Sequence, residues 1–278
     1  MTYLESIFLG LVQGVAEFLP ISSSGHLSLF QAFLGIESAE HASTFFDVLL
    51  HLGTLIAVFV AYWGDIVDMV KEFFAFLRDV AHGGSKQPVP PSRRMILLII
   101  LGTLPLFLVL PIKDAVDSLY DNTYFISFAL LLTGTLLFLS DRVKRGHKDA
   151  STSKLSDALL VGCAQALATV PGLSRSGTTI AAGRFLGYDR KYAVRYSFLM
   201  SIPAVLGANI LSLKEALDVG IEYNMVPIYL AGVVVAAVSG YFSIRLLNML
   251  TDKGKFGAFA YYCWLAGALA LVLSVIWG

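Results

Sequence analysis

The sequence predicts an all-α polytopic membrane protein: six transmembrane helices plus two re-entrant helical hairpins, arranged as an inverted-topology repeat. Three observations predict it. Of 278 residues, 56% are hydrophobic and 14% charged, with a mean hydropathy of +0.73, and so apolar a chain cannot hide its surface in water. Apolar runs long enough to cross a bilayer recur along the chain. Two stretches also read as copies of one another, QGVAEFLPISSSGHL from Gln13 to Leu27 and QALATVPGLSRSGTT from Gln165 to Thr179, at one constant offset of 152 positions (165 minus 13, 177 minus 25). That offset pairs Gln13 with Gln165, Ser22 with Ser174, Ser24 with Ser176 and Gly25 with Gly177.

The six spans fall at about 45 to 63, 95 to 112, 122 to 140, 192 to 213, 226 to 250 and 257 to 277. Two further apolar runs, about 3 to 35 and 155 to 188, are split by the paired motifs into halves too short to cross singly, and each is read as a re-entrant hairpin. The start lacks a basic n-region, and Glu5 and Glu17 interrupt its first apolar run, so no cleavable signal is expected. The stretch 79 to 93, with Gly83, Gly84, Pro88, Pro90 and Pro91, reads as a cytoplasmic loop. Cys163 and Cys263 lie in apolar segments without metal-like spacing and are expected to be buried thiols. No linker divides the chain, so one membrane domain is expected over 1–278, made of two inverted halves, 1 to about 141 and about 153 to 278.

Charge orients these elements. Seventeen of the twenty Lys and Arg residues gather after the first span (Lys71 to Arg94), after the third (Arg142 to Lys154), after the second hairpin (Arg184 to Arg195) and between the fifth and sixth spans (Arg245 to Lys255). The connections after the second and fourth spans hold only Lys113 and Lys214 among six carboxylates, so the positive-inside rule turns them outward. Both termini then lie outside. The first hairpin enters from the outer side and the second from the cytoplasm, and three intervening spans make the repeat inverted.

Inverted repeats with broken helices bring their breaks together near the bilayer midplane. In each motif the returning half-helix would begin at the hydroxyls, with Ser22 or Ser23 capping the first and Ser174 the second. Two such N-termini aimed at one point form an anion site. Arg175, the one cation left over from the topology, sits in the second motif. A guanidinium at membrane depth is costly and matches phosphate oxygens in pairs. The expected ligand is therefore a phosphate with an apolar tail. Ser23 and His26, three apart on one helical face, supply a hydroxyl nucleophile beside an imidazole. Glu17, four residues after Gln13, brings a carboxylate and an amide to the same break, suited to a divalent metal, to a water, or to orienting His26. Asp47 and His51, four apart on the next span, form a secondary ionisable pair.

On these residues the chain resembles the undecaprenyl pyrophosphate phosphatases of the type linked to bacitracin resistance. That family carries a Glu/Gln-x-x-x-Glu motif followed by Pro-x-Ser-Ser-x-Gly-His, matched here by Gln13, Glu17, Pro20, Ser22, Ser23, Gly25 and His26. Its second motif is matched by Pro171, Gly172, Ser174, Arg175, Ser176 and Thr179. The resemblance covers essentially the whole chain. It implies hydrolysis of undecaprenyl diphosphate to the lipid phosphate that carries cell-wall precursors, in a multi-pass protein of the cytoplasmic membrane, with a divalent cation, Mg²⁺ or Ca²⁺, assisting. Gln13 stands where many relatives have glutamate, which shifts any metal role toward Glu17. The implied reactive groups are Glu17, His26, Ser23 and Arg175; Ser22, Ser24, Ser174, Ser176, Gly177 and Thr179 would hold the substrate. Partners would be the polyprenyl diphosphate, membrane lipids and a second copy of the chain as a homodimer.

Plainer readings stand beside these. Arg175 also fits a buried salt bridge, His26 an interhelical hydrogen bond, and the four paired serines fit helix caps. Asp47 and His51 also fit a bridge between helices. A water activated at Glu17 or His26 uses the same residues as a Ser23 nucleophile. Gly10, Gly14 and Gly162 fit close helix packing. His41, His82 and His147 fall in polar connections. A transporter of prenyl phosphate lipid shares the architecture, but it has no need of a nucleophile beside a base. An intramembrane serine protease fits Ser23 and His26 but not a doubled anion site. The net charge of zero says nothing about partners, and without a basic stripe no nucleic-acid partner is expected.

Overall fold

In a computed structural model, the backbone is described for residues 1–34, 40–82, 88–219, 223–254 and 256–277. Among them all regular structure is helical, and the one strand-like pairing is an isolated bridge between Lys148 and Tyr188. Five helices are long and apolar enough to cross a membrane, or up to six if one sharply bent pair counts as a single span.

The chain opens with α1 (Tyr3–Phe18) and α2 (Ser23–Leu34), separated by a four-residue break. Thr2 and Glu5 form a capping box at the start of α1. The next helix, α3 (Glu40–Ala61), meets α4 (Trp63–Ala81) at an angle of 81°. The expected loop from 79 to 93 is thus shorter than its composition suggested, because α4 runs through Ala81 and α5 (Pro91–Thr103) starts on Pro91. Residues 83–87 of that loop lie outside the described ones. No residue of α4 is buried. Phe73, Phe74, Phe76 and Leu77 are exposed beside Lys71 and Arg78.

After α5 the chain tightens into 3₁₀ turns at Leu104–Leu108 and Leu110–Ile112, where Pro105 and Pro111 deny backbone donors, and closes with α6 (Lys113–Asp117). Asn122 caps α7 (Thr123–Arg142). A second broken pair follows, α8 (Leu155–Leu167) and α9 (Arg175–Phe185), and then α10 (Arg190–Val219), α11 (Val226–Asp252) and α12 (Ala258–Trp277).

Packing follows side-chain size. On α11, Leu230, Val234, Val238, Phe242 and Leu246 recur every four residues and are exposed, while Gly232, Ala236 and Gly240 line the buried face. The large residues meet lipid and the small ones admit a neighbouring helix, because hydrocarbon tails leave no hydrophobic reason to turn leucines inward. That neighbour is α1, which packs on α11 more extensively than any other pair in the fold. Gly10 faces Gly232 there, and Gly162 of α8 faces Gly102 of α5 in a matching contact. Cys263 is buried, but Cys163 is exposed, a correction to the expectation for both. It shares the outer face of α8 with Leu159, Leu160 and Leu167, and apolar residues on a lipid-facing side are indistinguishable by hydropathy from buried ones.

Candidate functional site

The two helix breaks touch. A Cβ on Gly25 would stand 2.8 Å from Gly172 Cα, and one on Gly177 would stand 3.2 Å from Pro20 Cβ. Pro20 and Gly172 are themselves separated by the repeat offset of 152 (172 minus 20), so the first-turn glycine of each returning helix rests on the other break. Because Gly25 meets backbone, Gly25→Ala is expected to push the breaks apart. The cost should be about 1–3 kcal/mol, read as a lowered thermal midpoint in detergent; an unchanged midpoint would mean the contact is loose.

Each break is closed locally by hydroxyls. Ser174 is the N-cap of α9 and accepts from the Gly177 amide at 3.1 Å. Ser22 does the same for the Gly25 amide at 3.3 Å. It does so from a left-handed conformation, φ 72°, which no other non-glycine among the described residues adopts and which costs about 1–3 kcal/mol. In the second break that conformation falls on Gly172, φ 86°, where it costs little. Thr133 of α7 stitches this break by donating to Gly172 O at 3.0 Å and accepting from the Ser174 amide at 3.1 Å.

Glu17 is the hub between the breaks. Its Oε2 accepts from Ser23 Oγ at 2.7 Å and from Gln13 Nε2 at 3.1 Å. Its Oε1 accepts from Arg175 Nη2. His51 Nε2 stands 3.9 Å away, in ion-pair range but beyond hydrogen-bond reach. The Glu17 side chain is 8% exposed and that of Arg175 17%, so this pair is shielded from the screening that weakens surface ion pairs. Ser23 and Arg175 are the first residues of α2 and α9 and are also 152 apart (175 minus 23). The equivalent position of each copy therefore donates to one carboxylate. Two buried atoms here have no hydrogen-bond partner among the described residues: Arg175 Nη1 and Gln13 Oε1.

The remaining candidates divide. Ser22 and Ser24 lie 3.5 Å apart, Ser174 and Ser176 3.3 Å, and Ser176 also reaches Leu19 O at 3.5 Å. Thr179 bonds Arg175 O at 2.8 Å and Ser197 Oγ at 2.6 Å. These hydroxyls are committed to framework as well as being near the junction. His26 is not hydrogen-bonded to Ser23: its Nδ1 bonds Ser22 O at 2.7 Å and its Nε2 bonds Tyr262 Oη at 2.9 Å. His51 bonds the Asp47 carbonyl at 2.8 Å through Nδ1, so Asp47 touches it through backbone. His41 lies outside the residues whose side chains are described. No group of three or more His, Cys, Asp or Glu residues able to hold a metal occurs among the described residues.

The sequence profile of the family described as Bacitracin resistance protein BacA matches residues 6–269, which include both breaks and every residue around Glu17. The chain belongs to this family. Among its curated relatives, the undecaprenyl-diphosphatase of Methanosphaera stadtmanae is 41% identical over 278 residues, covering 98% of each chain. That of Alkaliphilus metalliredigens is 40% identical over 277 residues, covering 99% of this chain and all of its own. That of Methanobrevibacter smithii is 41% identical over 281 residues, covering 99% of both.

Sequence reasoning missed Thr133, Ser197 and Tyr262 in this BacA-family chain because they lie on α7, α10 and α12, outside both motifs, where nothing in the spacing ties a hydroxyl to the breaks. Tyr120, in the connection before α7, was equally silent. Its hydroxyl donates to Thr169 O at 3.5 Å, and burial pushes its phenol up to about 12, so it stays neutral at physiological pH.

Proposed function

We propose that this protein is an integral-membrane phosphatase that hydrolyses undecaprenyl diphosphate to undecaprenyl phosphate and inorganic phosphate, returning the lipid carrier to cell-wall synthesis. The observation that carries the reading is the convergence of Ser23 and Arg175 on Glu17 where two helix breaks meet. The family and the name shared by its relatives, undecaprenyl-diphosphatase, supply the substrate. They favour hydrolysis over carriage of the lipid.

The proposed chemistry follows from which atoms are free. The unpartnered Nη1 of Arg175 takes a phosphate oxygen while Nη2 stays on Glu17. Ser174 occupies the Gly177 amide, which leaves the first-turn amides of Arg175 and Ser176 outside the helix's own bonding and open to the same phosphate. Ser23 Oγ attacks the terminal phosphorus and gives its proton to Glu17, to which it is already bonded at 2.7 Å. The bridging P–O bond breaks and the lipid phosphate leaves. Water then attacks the phosphoserine, with His26 accepting its proton, and Ser23 regains a proton from Glu17 as inorganic phosphate departs. Arg175 stabilises the charge on the phosphoryl oxygens throughout, so most of the acceleration is positioning and electrostatics.

The donor set suits a divalent cation that arrives with the pyrophosphate. The buried, unpartnered Gln13 Oε1 would be one hard oxygen ligand and Glu17, by giving up part of its present hydrogen bonding, would supply another; Mg²⁺ commonly binds through one or two protein oxygens plus phosphates and water. Such a cation would neutralise phosphate charge at the junction. Chelation is expected to abolish phosphate release and added Mg²⁺ or Ca²⁺ to restore it; release unaffected by chelator would exclude the cation.

The finer topology belongs to the same proposal: six spans, two re-entrant hairpins and an inverted repeat, with the first break reached from the outer side and the chain in the cytoplasmic membrane. The reciprocal contacts of Gly25 with Gly172 and of Gly177 with Pro20 support it. A homodimer is compatible with it.

The test of the reaction is phosphate release from purified protein in detergent, with acid-quenched protein assayed for phosphoserine. The parent should show both signals, and Ser23→Ala should lose phosphoserine and fall at least about a hundredfold in kcat. Turnover retained by Ser23→Ala without phosphoserine would assign the attack to water.

A further inference from the structure

Among the described residues outside the motifs, Tyr262 is hydrogen-bonded to a reactive candidate, His26. His26 is 7% exposed, and its two ring nitrogens have partners of opposite kinds. The Ser22 carbonyl oxygen, 2.7 Å from Nδ1, can only accept, so Nδ1 carries the proton. In the neutral ring Nε2 then presents a lone pair, and its partner at 2.9 Å, the Tyr262 hydroxyl, donates to it. The rings also stack, with centroids 5.7 Å apart and planes 15° from parallel. Tyr262 comes from α12, which also reaches the first break through Cys263 Sγ, 3.6 Å from Pro20 O, and it is 44% exposed.

We propose that Tyr262 is a positioning residue, which holds His26 in its Nδ1–H tautomer with Nε2 unprotonated and aimed until a water takes the phenol's place. The Ser22 carbonyl fixes one edge of the imidazole and the Tyr262 hydroxyl the other, so the ring can neither turn over nor present a donor where an acceptor is needed. Burial of His26 makes an unpaired Nε2 costly, which is why the resting partner matters. The exposed tyrosine can withdraw its hydroxyl without disturbing the core. The inference rests on the proposed role of His26 as proton acceptor.

Tyr262→Phe tests it, since phenylalanine keeps the stacked ring and removes only the hydroxyl. In detergent-solubilised full-length protein labelled with ¹⁵N-histidine, with the His26 signals identified by their loss in His26→Ala, the parent is expected to show a protonated Nδ1 and a hydrogen-bonded Nε2. Tyr262→Phe should move the Nε2 resonance downfield toward the unbonded position. It should also lower kcat by about tenfold, the rate equivalent of one hydrogen bond, with KM unchanged, and it should cause no further loss on a His26→Ala background. An Nε2 resonance that does not move, or an equal loss with and without His26, would overturn the proposal. If His26→Ala alone leaves turnover at the parental rate, the assignment of His26 as proton acceptor falls, while the ¹⁵N shift still decides whether Tyr262 sets the tautomer.

Discussion

Arg175→Ala is expected to lower kcat for phosphate release from undecaprenyl diphosphate by about three orders of magnitude, within the range for losing a guanidinium that stabilises a phosphoryl transition state. The expectation comes from geometry: Arg175 begins α9 at the contact of the two breaks, spends one arm on Glu17 and leaves Nη1 buried without a partner. Arg175→Lys should recover little, because an ammonium cannot hold Glu17 and a phosphate through one planar fork. The alanine variant should also be less stable, since Glu17, with 8% of its side chain exposed, loses its guanidinium and keeps only neutral hydrogen bonds from Ser23 and Gln13 and the more distant His51. Breaking a buried pair costs about 3–5 kcal/mol. Adding Glu17→Gln to Arg175→Ala removes the stranded charge and should restore most of the thermal midpoint but none of the activity. A folded Arg175→Ala protein that turns over at the parental rate would take Arg175 out of the reaction.

Glu17→Gln by itself should cost between about a hundred- and ten-thousandfold in kcat, the span associated with a general base. The amide is the same size and its oxygen can still accept from Ser23, so the change removes basicity and charge while keeping the shape. Phosphoserine should then fail to form, because Ser23 has no acceptor for its proton. Turnover within tenfold of the parent, with normal phosphoserine, would mean that Glu17 only braces Arg175. The same substitution leaves Arg175 without its counter-charge, so a tighter KM alongside the lost kcat would separate the binding role of Arg175 from the proton chemistry of Glu17.

Much of this site was legible because duplication writes itself at a fixed offset, and because Pro20, Gly172 and clustered serines inside apolar runs mark where a helix must stop. Gln13 and Glu17 at helical spacing marked the first break as the place of a carboxylate and an amide, though not the bond between them. The distribution of bonds within the junction was not legible. Ser23 and His26 share a face by spacing, yet the turn at Ser22 sends Ser23 to Glu17 and His26 to α12, and periodicity has no term for a left-handed residue at a break. The bend at Tyr62 was hidden for a related reason: α4 mixes Phe73 and Phe74 with Lys71, Glu72 and Asp79, so a search for apolar runs passes over a helix that a search for helical period would find.

The matching seats of Ser23 and Arg175 have a consequence for how such a centre can arise. Two identical chains meeting at such a junction must place the same residue in both seats: two hydroxyls and no cation, or two cations and no hydroxyl. Joining the copies in one polypeptide lifts that restriction, because each seat can then change without changing the other. The motifs as they stand, SSSGH in one copy and SRSGT in the other, keep the flanking serines and the glycine that shape the junction and differ at the seat itself. Symmetry survives in the scaffold and has been surrendered at the seat, where attacker and stabiliser must be different groups, and at His26, which Thr178 replaces in the second copy.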